Sequence, residues 1–208
     1  VRYYAEKYGI KTRMIHSHAT LYAESKIKAI RNKLLWALAR GKITDRIGCS
    51  KAAGEFLFGK EDFVVLKNAI ACEEYFYKEE IRNQVRKQEI VTDKLVVGNI
   101  GRFSQQKNQT FLVEIFAKIK KLYPNSVLWL VGDGELRGEI EEKIKKLGLT
   151  DSVRLFGMVE NTKELYQAMD VMVMPSLFEG LPMVGVEAQA SGLPWVFTNT
   201  ITREVDIV

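Results

Sequence analysis

Cysteine is scarce: Cys49 and Cys72 are the only two in 208 residues, and neither belongs to a C-x-x-C pair. Two thiols in a chain of this size make no disulfide framework, which makes a reducing cytoplasm the simple compartment. Long apolar runs are lacking too. No stretch approaches the roughly 20 apolar residues that span a bilayer, and no secretory signal is visible. Histidine is limited to His16 and His18. Without adjacent Asp or Cys partners they do not form a metal-ligand set, and no Asp-x-Asp pair occurs anywhere. No G-x-G-x-x-G opens a helix. Gly98-Asn99-Ile100-Gly101 has the wrong spacing and Gly132-x-Gly134 lacks a third glycine three residues on, so the signature of a dinucleotide-dependent dehydrogenase is missing. Internal repeats and low-complexity stretches are absent as well.

What is present is an ordinary globular composition, 47% hydrophobic and 27% charged. Lys+Arg outnumber Asp+Glu by 31 to 26, a net charge of +5. Such an excess alone suggests a nucleic-acid-binding module, but aromatic residues are not interleaved with the basic ones in any recognisable motif, and no nucleic-acid partner is expected. Part of the excess lies between Lys26 and Arg46, where Lys26, Lys28, Arg31, Lys33, Arg40, Lys42 and Arg46 meet only Asp45. With Leu34, Leu35, Trp36 and Leu38 this segment reads as a basic amphipathic helix. It is either a solvated helix face or a contact for an anionic membrane surface or a phosphorylated lipid acceptor.

Along the chain, a helix over Arg2–Tyr8 closed by Gly9 precedes a strand at Thr12–His16. Then come a helix over Tyr22–Arg40, a strand at Asp45–Cys49, a helix capped by Ser50 and a strand at Phe63–Leu66. Residues 72–93 are polar and charged, contain a Lys/Glu/Arg-rich helix and read as an inter-domain connection. From Lys94 the alternation is regular. Strands are expected at Leu95–Ile100, Val127–Val131, Val153–Phe156, Val171–Met174 and Trp195–Phe197, with helices between them. The class is α/β, with a parallel Rossmann-like sheet in the second half. The expected division is a first domain at 1–71, a linker at 72–93 and a second domain at 94–208. Three strands are few for the first domain, and its first element is a helix without a preceding strand. The chain is therefore expected to open part-way through that domain and to stop before the closing helices of the second.

The chemistry sits at strand C-termini. Strand Leu95–Ile100 ends in Gly101-Arg102-Phe103-Ser104-Gln105-Gln106-Lys107-Asn108-Gln109. Two cations beside a helix N-terminus make an anion site, because backbone N–H groups and the helix dipole add to their charge. Gly132-Asp133-Gly134-Glu135 follows the next strand as a tight turn. Phe156-Gly157-Met158-Val159 ends the third. The apolar strand Val171–Met174 leads into Ser176-Leu177-Phe178-Glu179-Gly180-Leu181-Pro182-Met183-Val184-Gly185-Val186-Glu187-Ala188-Gln189-Ala190-Ser191-Gly192-Leu193-Pro194. Pro182 fits a first helical turn, and Gly192 with Pro194 marks its end. Glu187 then falls inside an apolar helix and needs a partner that offsets its desolvation: a neighbouring cation or ligand hydroxyls.

That last string resembles the signature of retaining nucleotide-sugar glycosyltransferases of the GT-B fold, family 4, in which two glutamates separated by seven residues bracket an E-G-L-P loop. The resemblance covers about Met14 to Val205 and is of the type that builds capsular, exopolysaccharide or O-antigen repeat units. It implies a GT-B architecture of two Rossmann-like domains, the first incomplete and the second nearly complete. Arg102 and Lys107 match the family's G-R-x-x-x-x-K-N element and would grip the donor diphosphate, together with the amides of Gly180, Leu181, Pro182 and Met183, where proline supplies no N–H. Glu187 would hold the ribose hydroxyls, Gly132, Asp133 and Gly134 would lie near the nucleotide, and Phe156, Gly157 and Met158 against the nucleobase. His16-Ser17-His18-Ala19-Thr20 resembles H-S-H-x-T, which makes His16 and His18, with Glu179, the candidate catalytic residues. Asn68-Ala69-Ile70-Ala71 departs from the family's P-N-G-I-D, which removes the expectation of a role there.

The activity so implied is transfer of a sugar from a nucleoside-diphosphate-sugar to a glycan or lipid-linked acceptor in the cytoplasm, with possible peripheral membrane contact through residues 26–46. No cofactor and no metal are expected, and the chain by itself is expected not to turn over. The alternatives are a nucleotide-sugar epimerase on the same fold, for which no further acid/base carboxylates are identified, and a non-catalytic nucleotide-binding fragment.

Overall fold

The structure, a computed structural model, describes residues 2–23 and 25–206. Val1, Glu24, Ile207 and Val208, which fall within the domain and helix boundaries expected above, lie outside the described residues. Two compact units are formed. The first comprises residues up to Asn68 together with Phe178–Pro182 and Ile201–Asp206, and the second comprises Ala69–Leu177 and Met183–Thr200.

The first unit carries α1 (Arg2–Lys7), β1 (Met14–Ser17), α2 (Lys26–Arg40), β2 (Asp45–Gly48), α3 (Lys51–Phe58) and β3 (Val64–Val65). Its three strands are parallel in the order β1-β2-β3, with Met14 opposite Asp45 and Ile47 opposite Val64. Ser50 caps α3 by accepting from the Ala53 amide at 3.1 Å, as its position before an apolar run requires. The Ser17 hydroxyl donates to the Ala53 carbonyl at 2.6 Å, which ties the end of β1 to α3. Aromatic pairs Tyr22–Phe56, Trp36–Phe58 and Phe58–Phe63 fill the space beside the sheet. Helix α2 begins four residues later than the sequence pattern suggests. It turns Asn32 and Trp36 inward, while Ile27, Ile30, Leu34, Leu35 and Leu38 are all exposed.

The second unit follows the expected alternation. It contains α4 (Glu79–Gln88), β4 (Leu95–Ile100), α5 (Gln109–Leu122), β5 (Ser126–Val131), α6 (Arg137–Lys146), β6 (Val153–Gly157), α7 (Lys163–Ala168), β7 (Val171–Met174), α8 (Met183–Ala190) and β8 (Trp195–Phe197). All five strands are parallel in the order β6-β5-β4-β7-β8. Parity along the strands separates two cores. Val96, Val127, Trp129, Val131 and Met172 pack with α4, α7 and α8 on one face. Val97, Leu128 and Leu130 pack with Leu112, Val113 and Phe116 of α5 and Ile140 and Ile144 of α6 on the other. Both faces are covered, which is why these strands are continuously apolar rather than alternating.

The charged helix expected within residues 72–93 is α4, and it is packed against its neighbours. Arg86 of α4 is buried and donates to the carbonyls of Ala168, Thr92 and Lys94 and to Asp170 at 3.1 Å. Arg82 pairs with the same carboxylate, which also accepts from the Val96 amide at 2.7 Å. Burial alone would raise the Asp170 pKa, but the Val96 amide and the two guanidiniums outweigh it and hold it below the ordinary aspartate value. A carboxyl depressed in the folded state contributes stability in full above its unfolded pKa, about 3.9 for aspartate. That contribution is lost as pH falls through the lower folded value. Asp170→Asn is expected to cost about 3 kcal/mol in urea denaturation at pH 7, with the gap to the parent narrowing below about pH 4. A gap independent of pH would rule out the carboxylate as its source.

Candidate functional site

The candidate residues fall into two groups, one in each unit. In the first, His16 lies on β1 and His18 just beyond it, with ring centroids 4.0 Å apart. Burial, and then the nearby His16, lowers the His18 pKa below the ordinary histidine value, so His18 is a neutral imidazole at neutral pH. The Nε2 of His16 is buried without a hydrogen-bond partner among the described residues. Both imidazoles line a hollow of about 410 Å³ walled by Tyr22, Trp36 and Phe56.

Glu179, Gly180, Leu181 and Pro182 group with this same unit although they connect β7 to α8. Glu179 is 8% exposed. Its carbonyl accepts from the Thr20 hydroxyl at 3.4 Å, and the Leu181 carbonyl accepts from the Asn68 amide at 2.8 Å. Asn68 is therefore a structural partner of the Glu-Gly-Leu-Pro loop, which the departure of its surroundings from the family pattern concealed. Gly180 is required by close approach. A Cβ there would lie 2.3 Å from the His18 carbonyl oxygen and 3.1 Å from the Cys49 sulfur.

In the second unit three loops at the C-terminal ends of β4, β5 and β6 are knitted together. The Gly101 amide donates to the Val131 carbonyl, the Phe103 amide to the Asp133 carbonyl, and the Gly132 amide to the Gly157 carbonyl at 2.8 Å. Gly132 sits at φ 132°, and a Cβ there would lie 2.2 Å from the Gly101 carbonyl oxygen. Between these loops is a cleft of about 350 Å³ lined by Gly101, Arg102, Gly132, Asp133, Met158, Val159 and Thr162. Met158 is 81% exposed at its edge. Phe156 points elsewhere: its ring meets Trp129 edge-on at 5.1 Å, with Arg154 over it at 5.5 Å.

Arg102 is largely exposed, and its guanidinium pairs with Glu135 at 2.9 Å. The Asp133 carboxylate is engaged by Arg137 at 3.1 Å and by the Gly134 amide at 2.7 Å. Beneath Arg102, the fully buried Gln109 donates to the Arg102 carbonyl at 3.0 Å and to the Asn99 side chain at 3.3 Å. Asn99 in turn donates to the Val173 carbonyl at 2.8 Å, which links β4 to β7. Asn108, in the left-handed region at φ 57°, donates to the Pro175 carbonyl at 3.3 Å. Lys107 lies on this same loop, its stem alongside Gly101, where an added Cβ would be 3.4 Å from Lys107 Cε.

Met183 opens α8, and Glu187 lies one turn in. Two alternatives were open for the Glu187 partner, a cation or ligand hydroxyls. The structure supplies a third: the Tyr166 hydroxyl at 2.6 Å on Oε2 and the Tyr75 hydroxyl at 3.2 Å on Oε1. Neither tyrosine was legible as a site residue, because both are apolar-looking positions far from Glu187 along the chain. Burial, reinforced by the negative Glu187, pushes the Tyr75 hydroxyl up to about 12 and raises that of Tyr166 further. Both stay protonated as donors.

The seating of the Gly180 loop is open to a direct test. Cys49 is buried beneath it, and burial raises its pKa, so its thiol reacts slowly. In a Cys72→Ser background, Gly180→Ala is expected to accelerate labelling of Cys49 by a thiol reagent about tenfold or more, a shift of about 1.4 kcal/mol in local opening. An unchanged rate would show that the loop is not seated there.

A family model described as "Glycosyl transferases group 1" matches residues 80–208. EpsF of Bacillus subtilis (strain 168), a glycosyltransferase by name, is 37% identical over 206 residues, covering 95% of this chain and 54% of EpsF. The UDP-Gal:alpha-D-GlcNAc-diphosphoundecaprenol alpha-1,3-galactosyltransferase of Escherichia coli is 28% identical over 200 residues, 89% of this chain and 51% of that protein. Among solved structures, HepE of Anabaena, in complex with UDP and glucose, superposes with a TM-score of 0.83 at 23% identity, over 95% of this chain and 55% of HepE. The chain thus spans about half the length of the curated relatives it matches. Among the described residues no helix is long and apolar enough to cross a membrane. With these relatives and these parallel sheets, the chain belongs to the group 1 glycosyl transferases and has the GT-B fold.

Proposed function

We propose that the protein is a retaining glycosyltransferase that moves a sugar from a nucleoside-diphosphate-sugar to a hydroxyl of a glycan or lipid-linked acceptor in bacterial surface polysaccharide synthesis. The observation that carries this reading is the cleft of the second unit, where an exposed Arg102 stands over three interlocked glycine-containing loops at strand C-termini. Parallel α/β sheets place ligands there. In support, the E. coli relative is named for a UDP-Gal donor and a diphosphoundecaprenol-linked acceptor, and HepE was solved with UDP and glucose.

On this reading residues 94–208 hold the donor and residues 1–71 belong to the acceptor side, with 72–93 between them. The anomeric C–O bond to the diphosphate breaks, the acceptor oxygen forms the new bond on the same face, and the acceptor proton leaves with the diphosphate. Negative charge grows on the departing diphosphate. Arg102, Lys107 and the amides between Gly180 and Met183 meet it electrostatically, with no metal required. Glu187 accepts from the ribose hydroxyls. Met158 and Val159 offer an apolar edge to the base, with Gly132, Asp133, Gly134 and Gly157 shaping the loops beside it. His16, His18 and Glu179 serve the donor sugar and acceptor, the neutral His18 as a hydrogen-bond donor.

The Arg102–Glu135 pair must open for a diphosphate to bind. Arg102→Ala is expected to weaken UDP binding about 10–100-fold while leaving uridine unchanged, and Glu135→Gln to strengthen UDP binding about two- to fivefold. Calorimetry with a chelator present reads both. Equal loss of UDP and uridine, or strict dependence on Mg²⁺, would overturn the assignment.

The same reading places the protein in the cytoplasm, with α2 against the inner face of the membrane. Its exposed Ile27, Ile30, Leu34 and Leu38 are flanked by Lys26, Arg31 and Lys33, which suits an anionic interface. Co-sedimentation with vesicles containing phosphatidylglycerol is expected to fall about fivefold or more, roughly 1 kcal/mol, in Leu34→Glu/Leu38→Glu. Equal sedimentation of parent and variant would remove the membrane contact.

A further inference from the structure

Glu187 is a half-buried carboxylate on a helix whose neighbouring side chains are apolar, and its two oxygens are each engaged by a phenol. The arrangement is asymmetric. Tyr166 belongs to α7, is 1% exposed and makes the short bond, 2.6 Å. Its length is that of a strong charge-assisted O–H···O⁻ contact. Tyr75 follows the turn Cys72–Glu74, is 8% exposed and bonds at 3.2 Å. The two rings lie 6.1 Å apart at 60°. Tyr75 is steadied from outside by Lys163, whose ammonium stands 5.6 Å from the ring centre and pairs with Glu74.

Each oxygen of an ionised carboxylate has two acceptor positions, so two phenols occupy about half of the total. The pair fixes the plane of the carboxylate without exhausting it. A carboxylate held at both oxygens cannot rotate about its last torsion, and its remaining acceptor positions keep constant directions. Two neighbouring hydroxyls on one sugar ring need that geometry: a pair of acceptors at fixed spacing and a shared plane.

We propose that Tyr166 and Tyr75 are positioning residues that orient the Glu187 carboxylate to accept from the two vicinal hydroxyls of a ribose, Tyr166 as the anchor and Tyr75 as the weaker brace. The proposal rests on the reading of Glu187 as the ribose-binding group. It goes further by making ribose recognition a property of three residues from three separate segments. On this proposal the phenols act on the nucleotide only through Glu187, to which both hydroxyls donate.

The test measures affinities for UDP and for 2′,3′-dideoxy-UDP in the parent and in Tyr166→Phe, Tyr75→Phe and Glu187→Gln, with thermal midpoints as a check on folding. The parent prefers UDP. That preference is expected to shrink about tenfold in Tyr166→Phe and about threefold in Tyr75→Phe, with dideoxy-UDP affinity unchanged within about twofold. Glu187→Gln should abolish most of the preference. If Glu187→Gln keeps it, the ribose reading fails, and this proposal with it. If Glu187→Gln loses the preference but both phenylalanine variants keep it, the ribose reading stands and the positioning role is overturned. If the phenylalanine variants weaken both ligands equally, the tyrosines serve folding alone and the proposal is again overturned.

Discussion

The guanidinium of Arg86 is buried on a helix and has little solvent to fall back on, so its position is dictated by the acceptors around it. Those acceptors are Asp170 and the carbonyls of Thr92, Lys94 and Ala168. They belong to the approach to β4, the end of α7 and the approach to β7. Leaving such a charge unpaired costs several kcal/mol, so these three segments are held together or the unit is strained. Asp170 also takes the Val96 amide, which brings the start of β7 against β4. Val97 then stands opposite Val171, and the strand order reverses at β4, with β5 and β6 to one side and β7 and β8 to the other. That reversal is what opens a crevice at the far ends of the strands.

At those far ends the polar groups are treated differently. Asn99 and Gln109 are buried and hold the carbonyls of Val173 and Arg102, so the backbone of the β4 loop is rigid. The side chains above it are not buried. Arg102 is paired with Glu135 in a bond exposed to water, worth little and easily exchanged for a stronger anion. A rigid backbone under exchangeable charges suits the diphosphate-binding role proposed above for this cleft.

Much of this was visible along the chain. The apolar runs of β4, β5 and β7 and the helices between them lie where their periodicity places them, and Ser50 caps α3. The glycine-containing loops after β4, β5 and β6 do form one cleft. What the sequence hid are contacts between distant residues. Residues 72–93 read as a charged helical connection, and nothing along the chain shows that Arg82 and Arg86 pair with Asp170. Asn68 looked like the remnant of a motif, yet it holds Leu181. Phe156 stood in the string expected against a base, and the sequence did not show that its ring also meets Trp129 edge-on.

The sequence by itself determined the α/β class, the order of elements and the family, because these follow from local periodicity, turn chemistry and a long contiguous string around Glu179 and Glu187. Only the tertiary structure decided which groups satisfy the charges. A carboxylate in an apolar helix announces that it needs a partner, but spacing along the chain does not say which one. Folding brings Tyr75 and Tyr166 to Glu187 from different elements, and hydrogen bonding depends on distance in space. The same holds for Gly180, whose necessity comes from the His18 carbonyl lying where a side chain would have to be.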